Sequence, residues 1–182
     1  MIFETERLLV RPWTLDDVEA AFNMYGDPEV MRFLGRNGVA DTIPSVEAMA
    51  ERLAKNLERY ETVPELKGWF GAPIVEKASG EIVGASLLKP LPDGNDVYTE
   101  DIEVGWHLAR SHWGKGFGLE SAQGAVRYGF EVKGLDTIHA VVYTDNLRSR
   151  HLMDKLGMIH HGSTDRYYGV ELEHYSLGSP NM

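Results

Sequence analysis

Three glycines alternate with other residues in Trp113-Gly114-Lys115-Gly116-Phe117-Gly118, and this spacing is the strongest chemical signal in the chain. A glycine turn lets backbone N–H groups close on an anion, and a helix that starts at the turn adds the positive end of its dipole. The pattern predicts a phosphate cradle. It fits neither a Walker A loop, Gly-x-x-x-x-Gly-Lys-Ser/Thr, nor the Gly-x-Gly-x-x-Gly turn of a dinucleotide site, because its third glycine comes too early. On the glycines alone, a tight loop without a ligand is an equal reading. The seven histidines, His160-His161 among them, show no His-Glu-x-x-His spacing, and with no cysteine present no metal site is expected.

Strands and helices must hold that turn in place. Arg7–Trp13 reads as a short strand ended by Pro12, and Thr14 can cap a helix bearing Leu15, Val18, Ala21 and Phe22. A second helix is expected from Pro44 to about Tyr60, with Val46, Met49, Ala50, Leu53 and Leu57 inward and Glu47, Glu51, Lys55 and Glu58 on the other faces. Trp69–Glu76, Glu81–Lys89 and Tyr98–Leu108 follow as an antiparallel meander turning at Lys77–Gly80 and Pro90–Asn95. The glycine turn then opens a helix to Val132, and Thr137–Tyr143 reads as a strand buried on both faces, so strand, helix and strand make a parallel crossover. A helix from Asn146 to Leu156, stopped by Gly157, and two strands near 159–164 and 171–177 complete a mixed α/β sheet of about seven strands.

Composition narrows the partners. With 182 residues and no repeat or linker, one domain is expected over 1–182. Eighteen basic against 28 acidic residues give a net charge of −10, which argues against nucleic acid as a partner and confines any anion to a local site. The acidic start and the lack of an apolar run near the ~18–20 residues of a span argue against a leader or a membrane partner, so a cytoplasmic location is expected.

Taken together, Glu103-Val104-Gly105-Trp106-His107-Leu108, the glycine turn with Leu119-Glu120, Asn146-Leu147-Arg148-Ser149 and Lys155-Leu156-Gly157-Met158 resemble the core of the GNAT superfamily of acyl-CoA-dependent N-acyltransferases. Thr5-Glu6-Arg7-Leu8 and Gly26-Asp27-Pro28-Glu29-Val30-Met31 extend the likeness, which is strongest to the branch that acetylates ribosomal-protein N-termini. The resemblance implies a sheet splayed between the Tyr98–Leu108 and Thr137–Tyr143 strands, the fourth and fifth in the expected order. Acetyl-CoA would lie in the slot, its pantetheine arm against the backbone of Trp106, His107 and Leu108 and its pyrophosphate at Trp113, Gly114, Lys115, Gly116, Phe117, Gly118 and Leu119. Trp113 stands where the family usually has Gln or Arg. Asn146 resembles the family asparagine that bonds the cofactor, and equally suits a helix cap. Ser149 matches a serine beside the cofactor sulfur that can protonate the leaving thiolate, and it too can be a capping hydroxyl. Met153 replaces a tyrosine common in the family.

Amine acetylation needs an unprotonated amine and hence a base. Glu103 and His107 lie four apart on one strand, on the same face if no bulge intervenes. Glu103, which matches a carboxylate of the branch, ranks ahead of His107, although a lone strand glutamate commonly forms a surface ion pair. A bulge near His107 or Leu108 is expected to expose the N–H that polarises the thioester carbonyl. Acid-rich helix faces are expected to wall the acceptor cleft and to favour a cationic amine, such as a protein N-terminus, a polyamine or an aminoglycoside. The reading is acetyl transfer from acetyl-CoA to a primary amine, with no metal and with homodimerisation left open. A non-catalytic acyl-CoA sensor on the same fold is the alternative. A nucleotide-fold methyltransferase would need its glycine turn after the first strand.

Overall fold

The structure, a computed structural model, describes residues 1–34 and 41–180. Eight strands form one sheet: β1 (Phe3–Glu4), β2 (Leu8–Val10), β3 (Phe70–Glu76), β4 (Ile82–Pro92), β5 (Tyr98–Leu108), β6 (Thr137–Val142), β7 (Ile159–Thr164) and β8 (Leu172–Gly178). Their spatial order is β1-β2-β3-β4-β5-β6-β8-β7, and every neighbouring pair is antiparallel except β5–β6, which is parallel. The helices are α1 (Val18–Tyr25), the single turn α2 (Pro28–Met31), α3 (Val46–Thr62), α4 (Phe117–Glu131) and α5 (Leu147–Lys155).

Two apolar clusters hold the layers. Leu88, Val104, Phe117, Ala125, Ile138 and Tyr175 belong to the larger one, which includes the buried face of α4. Trp13, Met24, Met49, Leu53 and Ala85 form the other, joining α1 and α3 to β4. Each fully buried large side chain contributes on the order of 1.5–3 kcal/mol of transfer free energy, so these contacts dominate the packing.

The sequence reading needs four adjustments. An extra strand, β1, appears because the Thr5 N–H donates to the Leu8 carbonyl at 2.9 Å and the Thr5 hydroxyl accepts from Leu8 N–H at 3.1 Å, closing a tight hairpin. The Pro90–Asn95 stretch is not all turn. β4 runs on through Pro90 and Pro92, and the chain reverses at Asp93–Val97, where Asp93 accepts from the N–H groups of Asn95 and Val97. Those prolines are tolerated because β3 begins opposite Leu88, so β4 has lost one neighbour beyond that point. Pro44 precedes the helix rather than opening it, since Ser45 is the cap of α3 and accepts from Ala48 N–H. Finally, β6 alternates: Ile138, Ala140 and Val142 are buried while Thr137, His139 and Val141 are half-buried.

Asp17 fastens the start of α1 to the segment that follows β2. Its carboxylate accepts from both terminal nitrogens of Arg11, at 2.7 and 2.8 Å, and from the Thr14 N–H at 2.8 Å. Burial alone would push the Asp17 carboxyl up, but hydrogen bonds from Arg11 and Thr14 outweigh it and hold the group below its ordinary value. Such a carboxylate stabilises the fold fully above its unfolded pKa and loses that contribution as pH falls through the lowered folded one. Asp17→Asn is therefore expected to cost about 2 kcal/mol at neutral pH, with the gap to the parent closing in acid. Denaturant melts at pH 7 and pH 3 check this, and equal stability at pH 7 would remove the bridge from the account.

Candidate active site

The parallel strands β5 and β6 are in register only at Glu103 and His139. Beyond that rung they part, and a cavity of about 550 Å³ opens between them. Gly105, Trp106 and His107 line one wall, Val141 and Tyr143 the other, and Asn146, Ser149 and Met153 of the α5 segment close one side.

No bulge makes this slot. The β4–β5 register runs unbroken from Gly84↔Leu108 to Pro90↔Ile102, and its one shift falls at Pro90/Pro92, so the expected bulge near His107 is absent. Divergence of the strands exposes the backbone instead. The Ala109 N–H donates to the Val83 carbonyl at 3.0 Å, and a Cβ on Gly84 would come within 2.3 Å of the His107 carbonyl oxygen. These odd-numbered positions therefore spend their backbone groups on β4. By strand alternation, the N–H groups of Trp106 and Leu108 face the slot, and that of His107 does not. The Leu108 carbonyl is already occupied, since it accepts from the Trp113 indole at 2.9 Å.

The glycine turn follows directly from the end of β5. Gly114 and Gly116 have φ of 77° and 83°, left-handed backbone that suits glycine, and Gly116 caps α4. Helix geometry leaves the N–H groups of Phe117, Gly118 and Leu119 without a carbonyl one turn back, as an anion cradle requires. Arg7 braces the turn by donating to the Lys115 carbonyl and pairing with Glu120, and the Arg148 guanidinium lies 4.3 Å above the Trp113 ring. Lys115 is exposed at the turn. Neither the turn nor Leu108 lines the cavity that holds Trp106, Glu103, His107, Asn146 and Ser149.

Glu103 and His107 share that cavity, as their spacing predicts. Glu103 is an ion-pair residue, but a buried one: it is 6% exposed, and its Oε1 lies 2.8 Å from Lys89 Nζ. The Tyr168 hydroxyl donates to the same oxygen, and Lys89 lies 2.9 Å from that hydroxyl. Burial, reinforced by the nearby carboxylate, pushes the Tyr168 phenol far up, so it stays a donor. On the other side of the cavity the Tyr25 hydroxyl is 3.2 Å from His107 Nδ1. Burial, with Lys89 and Arg52 adding positive charge, lowers His107 to about 4, and burial raises Tyr25 to about 12.

Asn146 is a helix cap: its Oδ1 accepts from the Ser149 N–H at 3.2 Å.

The lining corrects the expected charge. Arg52, Lys55 and Arg59 of α3 line the cavity with Lys89, whereas Glu47, Glu51 and Glu58 of the same helix do not, and Glu103 is the cavity's carboxylate among the described residues. Helical spacing sends one face of α3 inward, and that face carries its cations. The premise for a cationic acceptor therefore fails. Sequence reasoning also missed Lys89, Tyr168, Tyr25 and Arg52. Only Lys89 left a signal, through the β4–β5 register, and a misplaced turn hid it.

A parallel pair parting over a cavity, with a glycine-capped helix at its end, is the architecture of an acyl-CoA-dependent transferase. The family model for the Acetyltransferase (GNAT) domain matches residues 7–159, and the chain belongs to this family of acetyltransferases. It is 28% identical over 179 residues to "Uncharacterized N-acetyltransferase YoaA" of Bacillus subtilis, covering 98% of this chain and 91% of that protein. It is 30% identical over 161 residues to the FsC-acetyl coenzyme A-N(2)-transacetylase of Aspergillus fumigatus, covering 86% and 64% respectively. A GNAT acetyltransferase structure from Bacillus anthracis superposes with a TM-score of 0.75 at 22% identity, covering 97% of each chain. The ribosomal-protein-S5-alanine acetyltransferase of Vibrio fischeri superposes at 0.72 with 17% identity, covering 98% and 97%, a likeness of fold alone.

His107 offers a direct check on the field in the cavity. Its imidazole is expected to titrate near pH 4 by NMR, and Lys89→Met should move the midpoint back towards the ordinary value. Because the unfolded chain takes up this proton first, stability is expected to fall as pH drops from the ordinary histidine range through the lowered value. A midpoint near 6.5 in the parent would show the ring to be solvated.

Proposed function

We propose that the chain transfers the acetyl group of acetyl-CoA to a primary amine by direct attack in a ternary complex. The observation that carries this reading is the single cavity that joins the slot-facing backbone of β5 to Glu103, His107 and Ser149. The pantetheine arm pairs with the open edge at Trp106 and the Leu108 N–H. The pyrophosphate rests on the amides from Trp113, Gly114, Lys115, Gly116, Phe117, Gly118 and Leu119, while Lys115 and Arg148 supply positive charge. Asn146 both caps α5 and presents its amide to the cofactor.

In the reaction the amine nitrogen bonds to the thioester carbon, whose oxygen is polarised by the Leu108 or Trp106 N–H. The C–S bond then breaks. The thiolate takes a proton from the Ser149 hydroxyl, which is reprotonated from solvent water, and the ammonium gives its proton, directly or through water, to Glu103, which releases it to solvent before the next turnover. Glu103 ranks ahead of His107 because it is a carboxylate held in position by Lys89 and Tyr168, whereas His107 is a weakened base. His107 acts as a neutral wall that hydrogen-bonds Tyr25. The motif matches in β5 and α5 also support a place near the ribosomal-protein branch, with a protein N-terminus as one form of the amine.

No cysteine is available to hold the acetyl group, and Ser149 has arginines rather than a base as its chain neighbours. Initial rates with both substrates varied are therefore expected to give intersecting double-reciprocal lines, and acetyl-CoA alone should leave the protein unacetylated. Parallel lines with a mass gain on a serine would overturn direct attack. Steady thiol release with an amine separates the enzyme from a mere acyl-CoA sensor.

Gly116→Glu tests the cradle independently. A side chain at φ 83° is strained, its Cβ would lie 3.3 Å from Arg7, and a carboxylate would repel phosphate. Acetyl-CoA affinity is expected to fall at least about a hundredfold with the circular dichroism spectrum retained. Unchanged calorimetric affinity would move the pyrophosphate elsewhere.

A further inference from the structure

We infer that the amine acceptor carries a carboxylate, which docks on the cationic face of α3 at Arg52 and Lys55. The inference rests on the acetyl-transfer reading above and specifies its substrate class. Among the described residues, a protein of net charge −10 places four cations and one carboxylate around this cavity. Lys89 is matched by Glu103. Arg59 donates to the Tyr98 hydroxyl and lies against that ring. Arg52 and Lys55 have no carboxylate partner among the described residues, and Arg52 sits 5.8 Å from the Tyr25 ring. Tyr25 in turn touches His107. A guanidinium is thus one aromatic ring away from the strand where the chemistry is placed, within reach of a substituent on a small amine.

Two physical arguments favour an anionic acceptor. Arg52 and Lys55 are exposed residues that also line the cavity, and a guanidinium without a carboxylate partner binds a planar carboxylate through paired N–H donors. The same positive potential disfavours an ammonium in the cavity and so keeps the reacting amine in its nucleophilic form. A polycation gains neither benefit and meets repulsion from Arg52, Lys55 and Arg59. The acceptor's own carboxylate offsets the field at one end while its amine exploits it at the other.

The test uses the full chain, with α-amino acids set against the matching amines that lack the carboxylate. Phosphoethanolamine and spermidine provide phosphate-bearing and polycationic arms. Thiol release gives kcat/KM, and calorimetry gives amine binding separately from turnover. Amino acids are expected to exceed their descarboxy partners at least about tenfold in kcat/KM and in binding. Arg52→Gln should erase most of that ratio by raising KM rather than lowering kcat, and Lys55→Gln should reduce it. Equal use of both amines, or a preference for spermidine or phosphoethanolamine, would overturn the proposal and leave acetyl transfer standing. A fall in acetyl-CoA affinity in Arg52→Gln would assign these cations to the cofactor and also overturn it. Selective binding of amino acids without thiol release would uphold the docking site and overturn acetyl transfer instead, and absence of selective binding and turnover together would overturn both.

Discussion

A single rung between Glu103 and His139 joins β5 to β6, and the rest of the molecule is arranged around the fact that the pairing stops there. Strands that part inside a domain leave backbone donors and acceptors unpaired, which is costly in a dry core and useful beside a ligand. The fold meets the cost on three sides. β4 saturates the odd-numbered positions of β5, the Trp113 indole takes the Leu108 carbonyl, and α5 lies against the opening with Asn146 capping its own first turn. What remains on the open edge is a short row of slot-facing groups that an extended ligand can pair with as an added strand.

The buried cluster of Glu103, Lys89 and Tyr168 sits at this fork. A carboxylate 6% exposed would be expensive alone, and the ammonium and phenol around Oε1 compensate it. Lys89 also acts at a distance, because the charge that steadies Glu103 helps to depress His107. One lysine thereby touches both potential bases: it pairs with Glu103, and its charge adds to the burial that lowers His107. Tyr168 reaches the cluster from a left-handed backbone position, φ 59°, in the connection before β8, so a strained loop residue completes the fork.

Legibility in the sequence followed the range of the interactions. The glycine turn, the crossover from β5 through α4 to β6 and the cap at Asn146 are written in local spacing, and all are present in the fold. Glu103 and His107 could be placed on one face because strand alternation is also local. Lys89 could not, because its partner depends on where the β4–β5 hairpin turns. A turn at Pro90–Asn95 sets Lys89 near the end of the strand, whereas the real reversal at Asp93–Val97 sets it opposite Glu103. Two prolines suggested a break, and the loss of a neighbouring strand beyond Leu88 made them harmless. Tyr168 and Arg52 come from segments far away in the chain, and no local pattern marks either as part of the site.

The charge of the acceptor wall shows why composition alone misled. An amphipathic helix has more than two faces, and α3 carries four glutamates against three basic residues, while the stretch through α1 adds Asp16, Asp17 and Glu19 with no basic residue. Counting those residues predicts an acidic wall, but the helix is rotated about its axis by the burial of Met49 and Leu53. That rotation turns Arg52 and Arg59 towards the cavity, together with Lys55, and leaves Glu47, Glu51 and Glu58 outside its lining. The apolar stripe, chosen for packing, therefore determines the electrostatics of the site. Net charge sets the far field of the protein, and the rotation of one helix sets the near field that a bound amine would experience.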